Sequence, residues 1–224
     1  MAHRVRVWDL PTRLFHWLLA ACVMGSLVTG FQGGSLIDWH ARFGYAILAL
    51  LLFRIVWGLV GGRWSRFASF IFAPRSVAAY LRGKAHPDHV VGHNPLGAGS
   101  VFAMLLVLLL QVASGLVNDD EISFQGPLYP FVGSKVSSLA HTFHSLGQWL
   151  VVALVVLHIA AILFYVVGKR QNLVRPMISG DKEMATAVPS SRDDLWSRLA
   201  ALVVLAASAG VVTWMVRLGS ASSS

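Results

Sequence analysis

The sequence predicts an all-α integral membrane protein: a helical bundle with a four-helix core and one additional C-terminal transmembrane helix. Three observations lead there. Of 224 residues, 56% are hydrophobic and only 12% charged, about half the charged share of a soluble domain. Five apolar runs each approach the ~20 residues that a helix needs to cross a bilayer. The lysines and arginines crowd into alternate connections between those runs. The composition excludes a disordered chain, a nucleic-acid-binding arm and an ordinary cytosolic enzyme. The net charge of +8 is therefore read for its position along the chain and not as a nucleic-acid footprint.

The predicted spans are about 11–30, 40–61, 100–117, 146–168 and 195–216. They are too long and continuous for strands, and none alternates as an outer-membrane barrel strand does. Helices satisfy their own backbone groups, which lipid cannot do. Residues 1–182 are expected to form one transmembrane domain holding the first four spans. A cytoplasmic linker, 183–194, leads to the fifth span, and a flexible tail, 217–224, follows it. The first apolar stretch is longer than a signal-peptide core and no small-x-small site follows, so it is expected to be retained.

Arg4, Arg6 and Arg13 precede the first span. Arg63, Arg66, Arg75, Arg82 and Lys84 lie between the second and third. Lys169, Arg170, Arg175, Lys182, Arg192 and Arg198 lie between the fourth and fifth. These are 14 of the 18 basic residues. The positive-inside rule then predicts a multi-pass membrane protein with a cytoplasmic N-terminus and a C-terminus, with Arg217, on the outer side. Trp8, Trp39, Trp57, Trp64, Trp196 and Trp214 fall near span ends, as an interfacial belt would have them.

Four histidines sit within or at the ends of spans: His16, His40, His144 and His158. An ionisable side chain in a lipid-crossing helix points to function, although for any one alone an interhelical hydrogen bond is an equal reading. Spacing distinguishes them. His144 and His158 are 14 residues apart, roughly 21 Å of helix rise and within about 40° of one face. Gly30 follows His16, and Arg54 follows His40, at the same offset. With the predicted topology, His16 and His158 share the cytoplasmic side, and His40 and His144 the periplasmic side. Two facing imidazoles at each depth are what two six-coordinate b haems require. The four-helix core is therefore expected to be a di-haem core with axial pairs His16/His158 and His40/His144.

Gly30, and Gly115 on the third span, would let a porphyrin plane approach, with plain helix packing as the alternative. Arg54 would pair with the carboxylates of the inner haem, with snorkelling to the interface as its alternative. His141 rivals His144 as the outer ligand. The loop His86-Pro-Asp-His89-Val-Val-Gly-His93 invites a metal reading, but without thiolates it is expected to be a solvated loop, or with His93-Asn94-Pro95 to lead into the third span. Cys22, the single cysteine, reads as a packing residue.

Several stretches carry a resemblance: Arg4-Val-Arg-Val-Trp8-Asp-Leu-Pro11-Thr-Arg13-Leu-Phe-His16-Trp17, His40-Ala-Arg-Phe-Gly44 with Arg54-Ile-Val-Trp57-Gly58, His93-Asn-Pro-Leu-Gly97, His144 through His158-Ile-Ala-Ala, and Asn172-Leu-Val-Arg-Pro-Met177-Ile-Ser-Gly180-Asp-Lys182. Together they resemble the bacterial cytochrome b561 family, which includes the b-type cytochrome subunits of nickel-iron hydrogenases. The resemblance covers about four-fifths of the chain. It implies two b haems on the same four histidines and electron transfer between the membrane quinone pool and a redox partner. Asn172 to Lys182 is similar to members that work with periplasmic c-type cytochromes and to hydrogenase subunits. The fifth span matches less clearly.

The expected function is a transmembrane electron conduit exchanging electrons with quinone and a periplasmic c-type cytochrome. The alternatives are the anchor of a hydrogenase-type complex, a superoxide-to-quinone carrier, and a haem-free transporter, which the absence of internal repeats disfavours. A homodimer is left open. Arg42, Lys135 and the cluster Asp119, Asp120 and Glu121 are expected on the outer face as candidates for quinone, superoxide or partner docking.

Overall fold

The computed structural model describes residues 3–84, 91–122 and 124–222. Five long apolar helices dominate: α1 (Leu10–Gln32), α2 (Ile37–Val60), α4 (Pro95–Leu116), α5 (Ser134–Leu163) and α7 (Leu195–Ser222), with two short helices, α3 (Pro74–Leu81) and α6 (Val174–Ser179). All five long ones have the length and composition of membrane spans. Leu59, Leu139, Leu146, Leu157, Val203 and Trp214 are exposed on them, as lipid-facing side chains are in a protein whose solvent is hydrocarbon.

Local chemistry sets the helix ends. Asp9 caps α1 by accepting from the Thr12 amide at 2.8 Å, and Pro11 occupies the first turn, where its missing N–H costs nothing. The turn into α2 uses Gly33 and Gly34, both at positive φ, a conformation that glycine adopts without a Cβ clash. Asp194 caps α7 through the Ser197 amide.

The chain divides into two compact units. One comprises 1–16, 54–103 and 156–204. In it, β1 (His3–Arg6) pairs antiparallel with β2 (Asp181–Met184), Arg4 opposite Glu183 and Val5 opposite Lys182. Val5, Val7, Trp8, Val91 and Met184 form the core beneath this ribbon. The other unit comprises 17–53, 104–155 and 205–224, with a core of Val23, Ile47, Leu48, Leu51, Val112, Leu116, Val151 and Val212. All basic residues except Arg42, Lys135 and Arg217 belong to the first unit.

Three stretches carry more structure than their sequence announces. The stretch 183–194, expected as a linker, begins in β2, and Ser191 donates to the Val7 carbonyl at 2.7 Å while its own amide donates to the Arg6 carbonyl at 2.7 Å. Into the stretch expected as a tail, α7 continues to Ser222, with Ser220 bonding back to the Val216 carbonyl. The fourth span's helix starts at Ser134. Residues 134–145 are too polar to read as lipid-embedded, yet they contain no helix breaker.

Ion pairs fasten the ribbon. Arg6 bridges Asp181, at 2.5 Å, and Asp193; Arg4 also reaches Asp181, and Arg198 reaches Asp193 at 3.1 Å. The Arg6 hydrogen bond holds the Asp181 carboxyl below its ordinary value. Burial pushes Asp193 up, but hydrogen bonds from Arg198, the Leu10 amide and Arg6 outweigh it and leave it lowered. Both carboxyls are thus lower in the folded than the unfolded chain. Their contribution is complete above the ordinary carboxylate range near 3.9 and is lost as pH falls through it toward the folded values. Hydrogen exchange of the 3–6 amides, corrected for intrinsic rates, should accelerate below about pH 4. Asp193→Asn should accelerate it already at pH 7; unchanged protection in that variant would remove the ion pairs from the account.

Candidate haem-binding sites

The helices bring the four histidines together in two pairs, one within each unit. In the first unit the rings of His16 (α1) and His158 (α5) lie 6.3 Å apart between centroids, with planes at 51°. In the second, His40 (α2) and His144 (α5) lie 5.9 Å apart at 90°. An imidazole nitrogen binds a first-row metal at about 2 Å, so two rings sharing one ion have centroids roughly 6 Å apart. Both pairs have that separation.

The second pair is oriented by backbone. His40 Nδ1 donates to the Ser26 carbonyl at 2.9 Å, and His144 Nδ1 donates to the Gln111 carbonyl at 2.9 Å. A carbonyl only accepts, so each Nδ1 carries its proton and each Nε2 keeps a lone pair for a metal. Two glycines clear the space. A Cβ on Gly30 would come within 2.8 Å of the His40 ring, and one on Gly115 within 3.0 Å of the His144 ring. The glycines expected to admit a porphyrin thus make room first for the ligand rings.

His141 lies one turn before His144 on α5, exposed, with Nδ1 3.0 Å from the Asn118 side-chain oxygen. It is His144 that faces His40. Among the described residues, no group of three or more His, Cys, Asp or Glu is arranged to hold a bare metal ion. Each histidine pair offers two donors, the number that a porphyrin iron needs from the protein for six-coordination.

Arg54 of α2 is 3% exposed, its guanidinium 4.7 Å above the Phe67 ring and 6.0 Å from Phe15. Its Nη1 is sealed from solvent and has no hydrogen-bond partner among the described residues. The neighbouring Asp9 carboxylate is occupied elsewhere: it accepts from Thr12, Trp57 Nε1, Gly62 N and Ser65 Oγ. A buried guanidinium without an acceptor fits a carboxylate-bearing ligand. The residues present therefore fit haem: paired lone-pair donors, glycine clearances and a waiting cation.

Sequence reasoning missed the orienting carbonyls, because any residue type can supply one. For His93 it offered a solvated loop or a lead into the third span, and the second holds, since α4 begins at Pro95. His86 and His89 lie outside the described residues, but His93 is packed against Trp8 and Phe70, with ring centroids at 4.7 and 4.5 Å. The Asn94-Pro95 pair held the signal, as a helix cap that directs the preceding residue inward. On the other unit, Asp119 and Asp120 fold their own loop by accepting from the Glu121, Ile122 and Phe124 amides, and Arg42 lies 5.0 Å over Trp39.

Long apolar helices, paired imidazoles and a buried guanidinium are features that a membrane b-type cytochrome would need. A family model described as prokaryotic cytochrome b561 matches residues 7–180, and the chain belongs to that family. A probable Ni/Fe-hydrogenase B-type cytochrome subunit of Bradyrhizobium diazoefficiens is 27% identical over 212 residues, 80% of this chain and 86% of the relative. One of the same name from Cupriavidus necator is 29% identical, covering 78% and 85%. A probable Ni/Fe-hydrogenase 1 B-type cytochrome subunit of Escherichia coli strain K12 is 25% identical, covering 78% and 88%. The protein is a multi-pass, electron-transferring b-type cytochrome, and its family implies haem b.

Proposed function

We propose that the protein is a di-haem conduit that passes electrons between the membrane quinone pool and a periplasmic redox partner such as a c-type cytochrome. The observation that carries this is the recurrence, in separate units, of two imidazoles about 6 Å apart. His16 and His158 hold one haem b; His40 and His144 hold the other. Haem, when bound, supplies one-electron exchange between ferric and ferrous iron. The chain's own part would be to hold each haem between two imidazoles, so that the group would exchange electrons and not bind a substrate. The Ser26 and Gln111 carbonyls fix the outer rings, and Arg54 offsets the charge of the inner haem's carboxylates. The concentration of basic residues in the first unit supports a cytoplasmic position for that unit and insertion in the inner membrane with the N-terminus inside.

The test is a haem-to-protein ratio with an anaerobic redox titration of the purified protein, followed by mixing with a reduced quinol analogue. Two haems per chain, two midpoint potentials and reduction by quinol are expected. A single haem or no quinol reduction would overturn the proposal. The names of the relatives favour a second reading, the membrane anchor of a hydrogenase-type complex. A stoichiometric hydrogenase copurifying in mild detergent would establish it over the first.

A further inference from the structure

Arg54 is accompanied in the first unit by another buried nitrogen with no hydrogen-bond partner among the described residues. Asn94 caps α4: its Oδ1 accepts from the Gly97 amide at 2.8 Å and its backbone carbonyl from the Ala98 amide at 2.8 Å, while its Nδ2 donates to the Tyr165 hydroxyl at 3.1 Å. Pro95 fills the first helical position, where a fixed φ suits the turn. This anchorage leaves the residue before the cap little freedom. The His93 ring is wedged between Trp8 and Phe70, and Phe70 contacts Phe67 at 5.9 Å, the ring beneath the Arg54 guanidinium. His93 Nδ1 is sealed from solvent and, like Arg54 Nη1, has no hydrogen-bond partner among the described residues. The imidazole is within electrostatic reach of both Arg54 and His16.

Two such nitrogens on different elements, with His93 within electrostatic reach of Arg54, are an arrangement that a native fold rarely leaves without an acceptor. The nearest carboxylate, Asp9, already accepts from four donors. A group with two acceptor oxygens, no donor and negative charge would satisfy both. We propose that Arg54 and His93 form a clamp for the propionate carboxylates of the porphyrin held by His16 and His158. The clamp rests on the haem reading above and adds His93, whose loop position concealed it, to the binding residues.

The test compares haem b with its dimethyl ester, which keeps the iron and ring but has no carboxylate to grip. Apoprotein of wild type, His93→Phe and His93→Gln is reconstituted with each. Occupancy of the inner site is read by its own potential, and the propionate bending mode by resonance Raman. Phenylalanine preserves the packing between Trp8 and Phe70; glutamine restores a donor. In wild type, the inner site should prefer haem b by about tenfold or more, an effect of the size expected for a charge-assisted hydrogen bond. The preference should shrink several-fold in His93→Phe, recover partly in His93→Gln, and be absent from the outer site in every protein. Equal affinity for acid and ester in wild type would mean that the nitrogens await some other anion, and an unchanged preference in His93→Phe would leave His93 as packing alone. Either result overturns the clamp, as does loss of both haems in both variants. Failure of the haem reading is distinct, because wild type itself would then bind no haem at the inner site.

Discussion

Alanine at His158 should remove one haem b and leave the other, and the haem lost should be the one that His16→Ala removes. His40→Ala and His144→Ala should remove the second. The expectation follows from the two ring pairs at 6.3 and 5.9 Å. With one imidazole of a pair gone, the remaining ring would be left to hold a haem that has no covalent link to the chain. The haem-to-protein ratio should fall by half in each single variant. The surviving midpoint potential should be shared by His16→Ala and His158→Ala, and differ from that shared by His40→Ala and His144→Ala. If His16→Ala and His40→Ala gave one and the same spectral and potentiometric defect, the pairing would be wrong. His141→Ala should keep both haems, since that ring is exposed and bonded toward Asn118.

The largest effect on stability is expected at Asp9, next to Trp8 in sequence and a neighbour of Arg54. Its side chain is fully buried and accepts from the Thr12 amide, the Trp57 indole, the Gly62 amide and the Ser65 hydroxyl. Gly62 can approach only because it has no side chain, since a Cβ there would run into the carboxylate. Asp9→Ala leaves those donors buried without an acceptor and removes the cap of α1. At 1–3 kcal/mol for each unsatisfied group, partly relieved by relaxation, a loss of about 3–5 kcal/mol is expected. Asp9→Asn should cost less, because one oxygen remains. Unfolding titrations in mixed micelles would measure both, and a loss under about 1 kcal/mol for alanine would refute the hub.

The spans and the four histidines were legible in the chain for a physical reason. Lipid accepts no unpaired backbone, so apolar length translates directly into helices, and an imidazole stands out against leucine and valine. The 14-residue return from His144 to His158 then needed only helix geometry. What escaped notice depends on partners far apart in sequence. β1 and β2 have four residues each, mostly charged, with no periodicity long enough to read. The Asp193 carboxylate looks like linker polarity until Arg6 and Arg198 reach it. The Ser26 and Gln111 carbonyls carry no side-chain signature at all. His93 resembled its neighbours His86 and His89 because its burial comes from Trp8 and Phe70, on other elements.

The pairing of β1 with β2 also sets a timetable for manufacture. Arg4 emerges from the ribosome 177 residues before Asp181, its partner. At ~5–20 residues per second that is roughly ten to thirty-five seconds during which four crossings must thread into the bilayer with the first strand waiting. The ribbon can therefore close only after the chain through the fourth apolar helix has been made.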